Sequence, residues 1–400
     1  MVVLKKLLAL LAFGMSCVFA RATDLIIQMA PGVSAQGIAT SYGITLVDVT
    51  NNAPFAFYFV NDEASDGIEK AMKTDPRIVW FDLDEDVQSP EVPVESKGTV
   101  IPAVADRGAL YSLNANLLNQ IHWSPSLILA NPVKPVCVAV LDTGLSAFAT
   151  NIWARTIARA NFIDTVPNAY DYPKFFSNAQ HSDPHANDGL GHGSMVVGLI
   201  DQIDPNVNFV IARVADSAGN ATAWSIVKGL AFAVNNGAQL CNVSLGTTTE
   251  SIALQGSVSW ASQQGLIIVA PAGNLGIGTA INPASFPEVV CVTGVLPTDV
   301  KAPFSDWDEN AVSAAPATGV KSLYWNGKVA IWSGTSFSAP LVTGALALAL
   351  SRGMVLDSTS ARALMLSSGD SIDNLNPLYH EAMGTRLNCA NVAAAAPPAP

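Results

Sequence analysis

Charge is scarce in this sequence, and positive charge scarcer. Only 13% of the 400 residues are charged, and 20 lysines and arginines face 32 aspartates and glutamates, a formal net charge of −12. So few bases exclude a general nucleic-acid binder, whose affinity rests on neutralising phosphates. Half of the residues are hydrophobic, which excludes a disordered chain and allows a sizeable core. Long apolar runs are missing too. A membrane-spanning helix needs ~20 consecutive apolar residues. The two longest candidates, Leu7–Phe19 and Leu341–Leu350, are shorter, and Gly344 interrupts the second. No internal repeat is present.

The first run has its own meaning. Lys5 and Lys6 precede it and the small-residue pattern Ala20-Arg21-Ala22 follows, the three-part layout of a secretory signal peptide over residues 1–22. Cys17 lies inside the run, but Gly14-Met15-Ser16 before it is a poor lipid-attachment signal. Without this segment the chain has 17 bases against 32 acids, a net of −15, which favours solubility and disfavours anionic membranes. The expectation is a secreted protein, extracellular or periplasmic, monomeric and without stable membrane association. Cys137, Cys241, Cys291 and Cys389 then remain. The first three sit in short β-rich apolar runs, where cysteine behaves as a small buried hydrophobe, so free thiols are expected.

Residues 24–87 read as a small α+β unit of order β, helix, β, β, helix, β, a split βαβ (ferredoxin-like) sandwich. Pro90, Pro93 and Pro102 punctuate a polar stretch after it, from Gln88 to about Arg107, that looks like a linker. From Pro135 onward, continuous apolar β runs (136–141, 209–214, 240–244, 266–270, 289–295) are interspersed with helical segments at 223–235, 252–264 and 336–351. Unalternating strands of this kind belong to a mostly parallel sheet buried on both faces, hence a doubly wound α/β domain over residues 135–392. Residues 96–134 are a linker and lead-in, and 393–400 a low-complexity tail.

Three segments carry chemistry. Val138-Ala-Val-Leu-Asp142-Thr-Gly ends a strand with an acid and a turn; Asp188-Gly-Leu-Gly-His192-Gly-Ser puts a histidine at the start of a small-residue helix. Ser333-Gly-Thr-Ser336-Phe-Ser-Ala-Pro puts a serine at a helix N-terminus, where the dipole and unpaired N–H groups favour developing negative charge. A serine hydroxyl needs a base within reach, and the base needs an acceptor to fix its tautomer. Asp142, His192 and Ser336 supply those roles in the order acid, base, nucleophile. In these segments and their order the chain resembles the subtilisin-like serine proteases, the family for which that order is the standing example.

The resemblance spans roughly residues 135–392 and implies more. Ile267-Ile-Val-Ala-Pro-Ala-Gly-Asn274 resembles the strand and turn bearing the family's oxyanion asparagine, so Asn274 and the Ser336 N–H are the expected oxyanion hole. Val243-Ser244-Leu245-Gly246, with Ala272 and Gly273, resembles the walls of the substrate groove. Asn282-Pro283 resembles a segment in which the family commonly has a cis bond. Residues 23–95 resemble, more loosely, the family's inhibitory prodomain, which implies a zymogen whose own prodomain acts in cis and whose substrates are proteins or peptides. Three departures touch no reacting group: Ser194 replaces a usual threonine, Ala317 a usual glycine, and Leu341 a frequent histidine.

Two other classes compete. One is a catalytically silent binding protein on the same fold. The other is a metallohydrolase using the His181–His192 loop, where His181, Asp183, His185, Asp188 and His192 fall within twelve residues and offer imidazole and carboxylate ligands. Their spacing is that of a loop and His192 has the stronger assignment above, so no cofactor is expected to take part in the chemistry, with an accessory structural calcium the remaining metal expectation. Asn220-Ala-Thr and Asn242-Val-Ser match the glycosylation pattern, but the second lies in a strand expected to be buried. Trp332 is expected near the nucleophile loop.

Overall fold

The computed structural model describes residues 23–60, 65–89, 101–104, 106–166, 168–173 and 187–396. The expected signal peptide and three of the possible metal ligands, His181, Asp183 and His185, lie outside them. The larger body is built on eight strands, all parallel, in the spatial order 385–386, 311–316, 290–295, 267–271, 240–243, 137–142, 208–213, 156–161. Along Cys137–Asp142 every residue is buried. Val138 and Val140 point into one apolar cluster, and Cys137, Ala139 and Leu141 into the other. That two-sided burial explains the continuous apolar runs and confirms the doubly wound architecture.

The helices 192–203 and 339–351 cover one face; 223–235 and 252–263 cover the other. Ala339–Ser351 is buried on all sides, which explains its lack of a polar stripe. Gly344 lets it approach the histidine helix: a Cβ there would lie 2.5 Å from Cβ of Ile203. Helices Ala223–Asn235 and Ile252–Gln263 begin at Thr222 and Ser251, whose hydroxyls accept from N–H groups in the first turn. The four cysteines are buried and unpaired. Burial pushes the Cys137 thiol up to about 11.

The smaller unit is a four-stranded antiparallel sheet in the order 45–49, 55–60, 23–29, 78–83, the ferredoxin-like order. Helices 35–42 and 65–72 accompany it, with Ile38, Ala39 and Met72 in a core shared with alternate strand residues such as Leu25 and Ile27. Its other face meets the larger body through aromatics: Phe57 stacks on Trp224 at 5.5 Å, and Phe55 meets Trp260 edge-on at 5.2 Å. Two carboxylates complete the contact. Asp84 Oδ1 accepts from the Trp224 N–H (2.8 Å), and Asp82 Oδ2 from the Ala253 N–H (3.0 Å), each in the first turn of a helix of the larger body.

The stretch expected as linker and lead-in is structured where described. Ile101–Val104 pairs with Lys328–Trp332, and Leu117, Leu118 and Ile121, carried on or just after the helix Ala115–Gln120, enter the main core. Residues from 101 on therefore pack with the larger body. The first two tail residues, Ala393 and Ala394, close a helix Cys389–Ala394.

Candidate active site

Asp142 is the last residue of a central strand, so its side chain emerges at the carboxyl edge of the sheet, where such folds place their ligands. It is buried, and its Oδ1 accepts from the Thr143 N–H (2.7 Å) and lies 2.7 Å from His192 Nδ1. His192 is the first residue of helix 192–203 and is also buried. Small residues make this approach possible. Gly191 has φ +89°, and a Cβ there would strike the Tyr324 ring at 2.3 Å; a Cβ on Gly193 would lie 2.3 Å from Gly144 O.

Behind the pair lies a polar cluster that the sequence did not reveal. Thr143 Oγ1 accepts from the Gly193 N–H (3.0 Å) and donates to Asp171 Oδ2 (3.3 Å); Ser194 Oγ accepts from the Ser146 N–H (2.9 Å) and donates to the same oxygen (2.9 Å). Serine thus supplies the hydroxyl at the position where threonine is usual. Burial pushes the Asp171 carboxyl up to about 6, against the pull of the Ser194 hydrogen bond. Arg213, also buried, donates to Thr143 O (3.1 Å). Thr143 and Ser194 sit inside motifs, but Asp171 lies in a loop with no periodicity to mark it.

Ser336 lies in a single 3-10 turn, Thr335–Phe337, just ahead of helix 339–351, so the helix starts three residues later than expected. The segments carrying Ser244 and Ser336 are tied together: Ser244 Oγ donates to Ser336 O (3.0 Å), and Ser336 Oγ donates to Ser244 O (3.4 Å). The Phe337 ring is 5.3 Å from the imidazole of His192 and 5.7 Å from the Trp332 ring, so Trp332 borders the turn that carries Ser336. Asn274 follows the strand Ile267–Pro271 through Ala272 and Gly273 (φ +117°). Its Oδ1 accepts from the Thr335 N–H (2.9 Å) and hydroxyl (2.8 Å), which directs the amide NH₂ the other way. Asn242, in its buried strand, donates to Ser244 Oγ (2.8 Å) and accepts from Thr343 (3.0 Å), so this glycosylation pattern is packing. The Asn282–Pro283 bond is cis.

Residues 86–88 form a strand antiparallel to Asn220–Thr222, and on its other side Gln88 exchanges two backbone hydrogen bonds with Gly246 (3.0 and 2.8 Å). Ser89 N–H donates to Gly219 O (3.0 Å), and the Val87 side chain is buried. Gly246 has to be glycine here, since a Cβ would lie 2.7 Å from Asn282 O. Of the expected groove residues, Ser244 and Gly246 make these hydrogen bonds, and Leu245, Ala272 and Gly273 are buried. Among the described residues no cluster of three His, Cys, Asp or Glu side chains is arranged to hold a metal, and no helix is long and apolar enough to cross a membrane.

An acid–imidazole pair, a serine and a turn-borne asparagine along the carboxyl edge of a parallel sheet define a subtilisin-like serine peptidase, a hydrolase of peptide bonds. The model of the Subtilase family matches residues 134–384, and the chain belongs to that family. It is 30% identical to subtilisin DY of Bacillus licheniformis over 250 residues, 59% of this chain and 84% of that protein. It is 27% identical to a thermostable alkaline protease of Halalkalibacterium halodurans over 338 residues, 82% of this chain and 81% of the relative. Among solved structures, a cold-adapted subtilisin-like serine proteinase superposes with a TM-score of 0.57 at 26% identity, covering 68% of this chain and 97% of that one. Fervidolysin of Fervidobacterium pennivorans, at 16% identity, shares the fold with a TM-score of 0.72 over 95% of this chain and 62% of its own.

Proposed function

We propose that the chain is a secreted serine endopeptidase made as a zymogen, with Ser336 as nucleophile. The observation that carries the catalytic reading is the buried contact between Asp142 and His192 Nδ1, which leaves Nε2 as the nitrogen to serve Ser336. Ser336 Oγ attacks the peptide carbonyl carbon and passes its proton to His192 Nε2, while Asp142 stabilises the imidazolium. The carbonyl oxygen takes up negative charge and is held by the Ser336 N–H and the Asn274 amide. The C–N bond breaks as His192 returns the proton to the leaving amine. Water, deprotonated by the same imidazole, then cleaves the acyl-enzyme and restores Ser336. These groups account for every proton without an organic cofactor.

The zymogen reading is supported by the 86–89 segment, which lies between Asn220–Thr222 and Gly246, held by main-chain hydrogen bonds in the way an extended substrate is bound. Secretion is supported by the layout of residues 1–22. The test is digestion of an unfolded protein by the purified, processed chain beside its Ser336→Ala variant, with products read by mass spectrometry. Internal cleavage by the first, and a loss of several orders of magnitude in the second, is the expected result; in subtilisin itself, removing the nucleophilic serine costs roughly 10⁶ in kcat. Equal cleavage by both contradicts the reading.

A further inference from the structure

The loop that carries Asn274 is fastened from behind by a carboxylate that takes no part in the peptidase mechanism. Asp306 is fully buried. Its Oδ1 accepts from the backbone N–H of Leu275 (3.0 Å) and of Ile277 (2.8 Å), and its own N–H donates to Gly273 O (2.9 Å). Neighbouring main-chain bonds, from Gly276 N–H to Phe304 O (2.7 Å) and from Trp307 N–H to Ile277 O (3.1 Å), complete the seam. Asp306 Oδ2 lies over Gly273, where a Cβ would be 2.1 Å away. Asn274 is thereby held on two sides: Thr335 fixes its side-chain oxygen, and Asp306 fixes the backbone on either side of it.

An oxyanion donor is effective only if it is aimed before the charge appears, because reorganising it during the reaction adds to the barrier. Two N–H groups converging on one buried oxygen hold a tight loop in one conformation, and losing that acceptor leaves both unsatisfied in the protein interior. We propose that Asp306 is a positioning residue for the oxyanion site, locking the 273–277 loop so that the Asn274 amide is pre-aimed; it touches no substrate atom. The inference rests on the role of Asn274 proposed above. Burial pushes the Asp306 carboxyl up to about 6, partly offset by the N–H groups of Ile277, Leu275 and Gly276 and less by Lys301. What the loop requires is the accepting oxygen, which an asparagine also supplies.

The test is a double-mutant cycle on the processed enzyme with Asp306→Ala and Asn274→Ala, kcat and KM being measured per active site counted with a serine-directed covalent label. Asp306→Ala is expected to lower kcat about 10- to 10²-fold, as a misplacement of about 1 Å does, with KM changed far less. In the Asn274→Ala background the same change should cost less than about 3-fold, since there is no amide left to aim. Asp306→Asn should recover kcat to within about 5-fold of the parent. Should Asp306→Ala not fold, Asp306→Ser goes through the same cycle, being polar but too short to reach both N–H groups. Equal fold-losses in the two backgrounds, a change confined to KM, or no recovery by Asp306→Asn overturns the proposal. An unchanged kcat in Asn274→Ala alone overturns the oxyanion reading, and the proposal with it.

Discussion

A methyl group on Gly193 would sit 2.3 Å from Gly144 O and 3.0 Å from Asp142 Oδ1, so packing and catalysis meet at that residue. Gly193→Ala should push the histidine helix away from the acid and lower kcat by about 10²-fold or more, by the same sensitivity to small displacements. Steady-state kinetics on a peptide ester and amide check it, and near-parent turnover contradicts it. Asn274→Ala should lose about 10²–10³ in kcat with little change in KM, a magnitude that comes from the matching asparagine of subtilisin. Asp171 gives a pH-dependent expectation. Its folded-state pKa of about 6 stands above the ordinary 3.8, so the folded chain holds that proton more tightly. The stability it confers is complete below about pH 4 and lost as pH rises through about 6. In a Ser336→Ala background, Asp171→Asn should therefore gain on its parent between pH 4 and 7, by up to ~3 kcal/mol in unfolding free energy; a difference constant with pH contradicts this. The residues proposed to react could be named from the sequence because each sits in a short motif with glycine or small neighbours. Asp171 and Asp306 were not, since a carboxylate that serves only backbone or hydroxyl groups across the fold leaves no local pattern.

Strands buried on both faces announce themselves as unbroken apolar runs, which is why Cys137–Asp142 and its inner neighbours were readable to within a residue or two. Thr156–Asn161 was not, because as an edge strand it alternates half-buried Thr156, Ala158 and Ala160 with exposed Ile157 and Arg159. The hairpin 320–323 with 328–332 and the strand 101–104 were missed for another reason: they are only four or five residues long and pair outside the main sheet, so they lack the length of its apolar runs. At this scale the contact between the two units is the most testable feature. Asp82 and Asp84 cap two helices of the larger body from outside, and a lost N-terminal cap costs ~1 kcal/mol, or about 5-fold in affinity. A separately made 23–89 segment is expected to inhibit the processed enzyme, and Asp82→Ala with Asp84→Ala to raise its inhibition constant about 25-fold if the two act independently. An unchanged constant means that the caps play no part in docking.

At the scale of the whole molecule, the proposed zymogen reading links the smaller unit to the candidate site. The smaller unit lies on the helices 223–235 and 252–263, and residues 86–88 after it lie between Asn220–Thr222 and Gly246. A parallel sheet whose contacts are mostly non-local folds slowly, so a partner that caps two of its helices can lower that barrier. Expressed intact, the Ser336→Ala chain should accumulate uncut, whereas the parent should yield a fragment beginning between about Gln88 and Ala109, read by N-terminal sequencing. A parent that stays full length and fully active makes the smaller unit a permanent domain. In the proposed reading, processing, inhibition and turnover alike depend on Ser336 being a nucleophile activated by His192. The most direct measurement is to treat the processed enzyme with a serine-directed phosphonylating reagent and map the adduct by mass spectrometry. One adduct per molecule is expected, on Ser336, formed far more slowly in His192→Ala; an enzyme that cleaves peptides while Ser336 stays unlabelled would contradict it.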